Sequence, residues 1–496
     1  VPFEPLRAAG KAAGGTLNDA FMAAVAPTLD PTVREAYAFA LHIEDDTLLR
    51  STIVAVAVLD TTPDWDVVVA RMDRATRLTP NFRSILARPP VPLGPMRWIP
   101  DHDFDLDWHL RRVAAPSPHT LDTVVDLACA IGMSAFDPAR ALWEFTLVEG
   151  LTGGRAALLM KVHHSLTDGI GGIQLAQHVV DLQREPADPG PMPEPPDAER
   201  ISSARLAADA LTDLAGRAAC LAGDSLRRLP DDVVGLVRDP IGVANRGLEV
   251  ARSVGHLVQP VTDTLSPLMT ERRLRWRYAP LDVPFEPLRA AGKAAGGTLN
   301  DAFMAAVAGG LARYHEDRDR PVEQLRVTMP VSLRSDDDPE GGNRITLARL
   351  VVPMGLADHG ARIRAIDRIS RRWRREPAIP YSNAVAGALN LLPRAITGGM
   401  LKHVDFLASD VPGFGDRVYL GGARMQGFYP FGPTIGSSAN VTLMSYAGTC
   451  NIGITLDRGA VTEPEGLLAC IEAGFDEVLS LAPDPPAAGD RTHRPD

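Results

Sequence analysis

The sequence predicts an α/β protein of two domains. Three observations carry this. The chain runs to 496 residues, past the roughly 250–300 at which a single core stops growing. Its composition is globular, 45% hydrophobic and 23% charged. Helical and strand patterns alternate on both sides of a Pro-rich break at 186–200.

Residues 1–26 recur letter for letter at 283–308. A structural repeat recurs several times with drift, so a single undrifted copy reads as non-native. The second copy is the one expected to pack. From Thr298 the chain continues as a capped helix, with Thr298 or Asn300 at its start and Leu299, Phe303, Ala306 and Leu311 on one face. In the first copy Pro27 cuts that helix short.

The N-terminal domain is placed at 27–185. It begins with a helix from Thr32 to His42, started by Asp30 and Pro31. The β-branched run Ser51 to Leu59 is a strand, and Trp65 to Thr76 and Leu121 to Met133 are helices. Phe145 to Glu149 and Ala156 to Val162 are strands, followed by a helix over Ile170 to Leu182. Residues 186–271 form a linker and crossover. Its Pro-rich opening is semi-rigid and solvated, and a long amphipathic helical stretch follows from Ile201 to about Met269. A second α/β domain occupies 272–482. It opens on Arg272 to Tyr278 and carries strands at Leu325–Met329, Ile345–Val352, Phe406–Asp410, Ala439–Ser445 and Cys450–Leu456. A helix from Glu463 to Leu479 closes it. The tail at 483–496 is expected to be disordered.

Net charge is −11, which argues against a nucleic-acid partner. Apolar runs such as Ile53 to Leu59 fall far short of the ~20 residues a spanning helix needs. No secretory signal pattern opens the chain. Cys129, Cys220, Cys450 and Cys470 are scattered, without metal-ligand spacing, as suits a reducing cytoplasm.

The sharpest chemical signal is Lys161-Val-His-His-Ser-Leu-Thr-Asp-Gly-Ile-Gly-Gly172. An apolar strand runs into it and a helix leaves it, so His163 and His164 sit at a strand end, where α/β folds place reactive groups. Neighbouring residues on a strand point to opposite faces, so one imidazole can face a channel while the other packs. A neutral imidazole with a pKa near ~6.5 is a natural general base. Asp168 can fix the turn by a salt bridge or backbone hydrogen bonds, and Gly169, Gly171 and Gly172 allow close backbone approach. Three readings fit the residues. One is a packed histidine pair, one a metal site lacking its third and fourth ligands, and one a catalytic turn.

The string His163-His164-x-x-x-Asp168-Gly169 resembles the active-site motif of the CoA-dependent acyltransferase superfamily, with its chloramphenicol acetyltransferase-like fold. Asp137-Pro-Ala-Arg-Ala-Leu-Trp143-Glu144 resembles the Pro-Leu-Trp motif and Asn300-Asp301 the Asn-Asp motif. Ser409-Asp-Val-Pro-Gly413, Gly421-Gly-Ala-Arg424, Tyr429-Pro430 and Ser445-Tyr-Ala-Gly448 follow in the order of the bacterial wax ester synthase/diacylglycerol acyltransferase family. The resemblance covers about Trp65 to Leu481. Ala141 stands where that family usually has Pro, and Asp410 where it usually has Asn.

The resemblance implies two similar α/β domains with a tunnel between them that meets at the histidines. It implies acyl-CoA as substrate and a fatty alcohol or diacylglycerol as acceptor. His164, His163 and Asp168 would form the catalytic group, with His164 as the base and Asp168 structural, and Gly169, Trp143, Asn300, Asp301 and Ser409 would support the site. No metal and no cofactor are expected. A lipid-handling enzyme of this kind would be cytoplasmic, with peripheral contact to a membrane or lipid-droplet surface. Two other classes remain open at this point: a condensing acyltransferase of secondary metabolism and a non-catalytic lipid-binding homologue. Arg272 to Arg277 and Arg371 to Arg375 could hold CoA phosphates or lipid headgroups, against the plainer reading of solvated charge. Trp143 reads most simply as core, and Asn300-Asp301 as a helix cap.

Overall fold

The computed structural model describes residues 44, 46–87, 97–166, 169–196, 204–205, 207–208, 212, 261, 263–332, 345–375 and 402–483. In the first half, β1 (Thr52–Leu59) leads to α1 (Trp65–Leu78), the ribbon β2 (Ser84–Ala87) and β3 (Arg97–Pro100), and the single turn α2 (Leu106–His109). Then come β4 (Leu110–Ala114), α3 (Leu121–Met133), the pair β5 (Trp143–Leu151) and β6 (Arg155–His163), and α4 (Gly169–Gln177). The second half runs β7 (Trp276–Pro284), α5 (Phe285–Ala294), α6 (Leu299–Glu316), β8 (Gln324–Ser332), β9 (Ile345–Pro353) and α7 (His359–Trp373). It continues β10 (Phe406–Val411), β11 (Tyr419–Leu420), β12 (Ala423–Phe431), β13 (Ala439–Tyr446), β14 (Thr449–Asp457) and α8 (Pro464–Leu479).

Two six-stranded sheets result, in the orders β11-β12-β1-β6-β5-β4 and β7-β14-β13-β10-β8-β9. The fold is the expected mixed α/β architecture, but the halves interleave. β12, from the second half, pairs antiparallel with β1, setting Val54 opposite Phe431 and Val56 opposite Tyr429. It reaches that position through Gly421, whose φ of +49° suits glycine; a Cβ there would stand 2.7 Å from the Asp64 carbonyl oxygen. β1 pairs on its other side with β6, and Thr52 stands opposite His163.

Each sheet has two different faces because side chains alternate. Ala156, Leu158 and Val162 of β6 join one core with α1 and Trp143. Ala157 and Leu159 face α3 together with Tyr278 and Phe431, which stack at 4.4 Å. In the second sheet Val327, Phe406, Ala408, Val441, Leu443, Ile452 and Ile454 pack under α6 and α8. The opposite face of the same strands carries Thr328, Asn440, Thr442, Asn451 and Thr455, all buried.

The second copy of the duplicated stretch fills the end of β7, α5 and the first half of α6. Thr298 caps α6 in a reciprocal box. Its hydroxyl accepts the Asp301 N–H at 3.3 Å, and the Asp301 carboxylate accepts the Thr298 N–H at 2.8 Å. The expected single apolar face widens to burial on nearly every side from Asp301 to Ala312, because α8 packs against α6 at close range. A Cβ on Gly310 would lie 2.5 Å from Ile471 Cα, and one on Gly474 would overlap the Ala306 carbonyl oxygen. The first copy lies outside the described residues.

Three expectations need adjustment. The helix placed over Ile170 to Leu182 ends at Gln177, and Asp181 instead bridges to Tyr419 of β11. The Pro-rich opening of the linker is not simply solvated. Its backbone is held by α1, where Arg71 donates to the Ala187 carbonyl at 2.5 Å and Arg77 to the Pro193 carbonyl at 3.0 Å. Residues 263–269, at the end of the stretch read as helix, are irregular; Asp405 accepts the backbone N–H groups of Leu265 and Ser266 there. The helix read at Thr32 to His42, most of the stretch from Ile201 and the tail beyond 483 lie outside the described residues.

Candidate active site

His163 is the last residue of β6 and His164 opens the turn that follows. His163 is buried, with 1% of its side chain exposed. The Ser165 backbone N–H donates to its Nδ1 at 3.1 Å, and Ser165 Oγ lies 2.6 Å from the same atom. A backbone amide can only donate, so Nδ1 carries the lone pair and the ring proton sits on Nε2. Nε2 faces Glu44 Oε2 at 3.0 Å and donates to it. Glu44 Oε2 also accepts the Ser51 N–H at 2.9 Å, tying the segment before β1 to the histidine. Both ring nitrogens of His163 are therefore engaged, with Nδ1 accepting from Ser165 and Nε2 facing Glu44.

The His164 N–H continues the ladder to the Ser51 carbonyl at 2.9 Å. The two imidazoles therefore leave the chain toward opposite faces. His164 follows Val162 in the alternation, toward the core that contains Leu166 of the motif, Leu175 of α4, and Met444 and Tyr446 of the second sheet. It is half-buried. Gly169 opens α4; Asp168 lies outside the described residues.

Around His163 the support is aromatic and cationic. Phe136 meets its ring edge-on at 6.0 Å. Lys161, two residues earlier on the same face, places Nζ 4.1 Å over Phe136 and 3.2 Å from Glu144 Oε1. Burial lowers the Lys161 pKa, opposed by the Glu144 charge. Trp143 is fully buried core; its Nε1 donates to the Phe82 carbonyl at 2.8 Å. It stacks on His109 at 4.5 Å, and His109 Nδ1 donates to the Trp143 carbonyl at 2.7 Å. Burial lowers the His109 pKa. The adjacent Leu142 carbonyl accepts the His163 N–H at 2.9 Å, so the Trp143 packing holds the strand on which the histidines depend.

The other motif residues fall in the second half. Asp301 is committed to the α6 cap, and Asn300 Nδ2 lies 3.7 Å from Met329 Sδ. Ser409 sits opposite Thr442 on β10. By alternation it shares the polar face of the second sheet, with Val411 beyond it packing on the histidine-side core. Asp410 takes the other face. Burial pushes its pKa up to about 6, and its charge adds to the burial that raises Cys450. The basic run at Arg272 to Arg277 is largely spent within the protein. Arg272 donates to the carbonyls of Gly436, Met269 and Val404, and Arg277 pairs with Asp126 and Glu465.

Glu44 was not legible as a site residue, because 119 positions separate it from His163. Lys161 lay inside the motif, but its ion pair depends on the β5–β6 register that sets Glu144 opposite it. Among the described residues no three potential ligands gather to hold a metal ion, and no helix is long and apolar enough to cross a membrane.

Two interleaved α/β sheets with a histidine pair at a strand end define the two-domain, condensation-type acyltransferase fold. The first condensation domain of the calcium-dependent antibiotic synthetase shares it at a TM-score of 0.58 and 14% identity, over 91% of this chain and 95% of that one. A wax ester synthase/diacylglycerol acyltransferase from Marinobacter aquaeolei VT8 shares it at a TM-score of 0.58 and 21% identity, over 92% of this chain and 99% of that one. The family model for the wax ester synthase/diacylglycerol acyltransferase catalytic domain matches residues 40–303, and the model for the C-terminal domain of the same family matches 341–478. The chain belongs to this family and is an acyltransferase. A Mycobacterium tuberculosis H37Rv relative, provisionally named a diacylglycerol O-acyltransferase, is 37% identical over 88% of this chain and 89% of its own. A second from the same strain, named likewise, is 30% identical over 81% of this chain and 89% of its own.

Proposed function

We propose that the protein transfers an acyl group from acyl-CoA to the hydroxyl of a long-chain alcohol or diacylglycerol, giving wax ester or triacylglycerol, with His164 as general base. One observation carries the assignment of the base. His163 accepts from Ser165 and donates to Glu44, so it can take a proton only by displacing the Ser165 amide.

His164 accepts the proton of the acceptor hydroxyl as its oxygen attacks the thioester carbonyl. A C–O bond forms, and the tetrahedral intermediate collapses with loss of the C–S bond. The imidazolium returns its proton to the departing CoA thiolate, restoring the neutral base. A thioester is already activated, so the reaction needs no metal and no cofactor beyond acyl-CoA as substrate. The names of the mycobacterial relatives favour diacylglycerol as acceptor.

Hexadecanol and diacylglycerol offered together with a long-chain acyl-CoA test this reading. Triacylglycerol or wax ester, with stoichiometric CoA release, is the expected product. CoA release without ester, or ester from neither acceptor, contradicts it.

A further inference from the structure

We propose that the exposed arginine face of α7 docks the protein onto anionic lipid headgroups, a surface role that rests on the neutral-lipid reading above. α7 buries Ile363, Ile366, Ser370 and Trp373. Arg364, Arg368, Arg371 and Arg372 stand exposed at i, i+4, i+7 and i+8, the spacing of one helical face. Arg374 and Arg375 extend the exposed run past the helix end.

Few acids answer this charge. Asp367 pairs with Arg371 at 2.7 Å, and Asp358 lies 3.9 Å from Arg364. Among the described residues Arg368, Arg372, Arg374 and Arg375 meet no carboxylate within ion-pair range. Some exposed arginines elsewhere do: Arg112 pairs with Glu149, Arg184 with Asp60 and Arg318 with Glu463. On α7 itself, the inward-facing Arg362 is bonded to the Leu356 carbonyl and lies 3.4 Å from Glu477. Among the described residues of this chain of net charge −11, one helix face thus concentrates guanidinium groups that few carboxylates answer.

The helix macrodipole accounts for basic residues only in the last turn. The stripe begins at Arg364, two turns earlier, beyond the reach of that dipole. Guanidinium groups bind phosphate oxygens in a fixed fork. A straight row of about 12 Å, eight residues at the helical rise, matches a plane of phosphate headgroups.

Sedimentation with vesicles tests the proposal, using phosphatidylcholine alone and phosphatidylcholine with phosphatidylglycerol. The unaltered chain is expected to bind only the anionic vesicles and to be released by salt. The double variant Arg368→Glu/Arg372→Glu is expected to lose about tenfold or more of that binding, whereas Arg275→Glu/Arg320→Glu, of equal charge change, stays within about twofold. Ester formation from short, water-soluble substrates should be equal in both variants, which shows that the fold and site are intact. Equal binding by both variants, or no binding by the unaltered chain, overturns the proposal. So does weakened CoA binding in Arg368→Glu/Arg372→Glu with vesicle binding retained, since the stripe would then read CoA phosphates. Vesicle binding without any acyl transfer would remove the catalytic reading and leave the docking surface standing.

Discussion

At the scale of single residues, the account turns on how one imidazole is held so that its neighbour can react. Glu44 accepts the His163 Nε2 proton while Ser165 fills Nδ1. Losing the charge on Glu44 weakens this hold without emptying the space. Glu44→Gln is therefore expected to leave the protein folded and lower kcat about tenfold or more, since small misplacements of catalytic groups are costly. Unchanged kcat in a folded variant would show that Glu44 does not position the site. Asp410 makes a separate prediction. Burial raises its pKa to about 6. Below about pH 4 the carboxyl is protonated in both states and costs nothing. Between about pH 4 and about pH 6 the unfolded chain releases the proton and the folded one keeps it, so stability falls as pH rises; above that window the penalty is constant. Asp410→Asn removes the penalty. Urea melts should show it more stable by about 2–3 kcal/mol at pH near 7.5 and equal near pH 4. A difference independent of pH contradicts the burial argument.

At the scale of elements, local pattern and long-range pairing separate cleanly. β1, β5 and β6 carry β-branched and apolar runs, α1 and α3 carry helical periodicity, and all five stand where the sequence places them. β12 does not announce itself, because its partner β1 lies some 370 residues earlier and only tertiary pairing makes it a strand. β7 was hidden for a related reason: it starts at the end of the arginine run and carries Pro280 and Pro284, so it does not read as a strand until β14 supplies the ladder. α6 shows how close packing replaces amphipathicity. Gly310 and Gly474 let α6 and α8 meet backbone to backbone. Gly474→Ala must push the helices apart and is expected to cost about 1–3 kcal/mol. A calorimetric melt checks this, and an unchanged Tm would show that the helices can separate without loss.

At the scale of the whole molecule, the site lies at the junction that the interleaving creates. β6 brings the histidines, β1 and Ser51 hold their backbone, and β12 locks the second half against β1. The histidine motif was legible because strand, histidines and glycines are contiguous. Its carboxylate partner was not, because only the fold brings Glu44 to it. Asn300-Asp301 illustrates the opposite case, a motif string whose acid serves as a helix cap. The central claim is that His164 removes the acceptor proton. CoA release and ester formation by purified His164→Ala and unaltered protein test it most directly, with circular dichroism to check the fold. The account predicts a folded His164→Ala variant whose rate falls by at least about 100-fold; ester formation at the unaltered rate would contradict it.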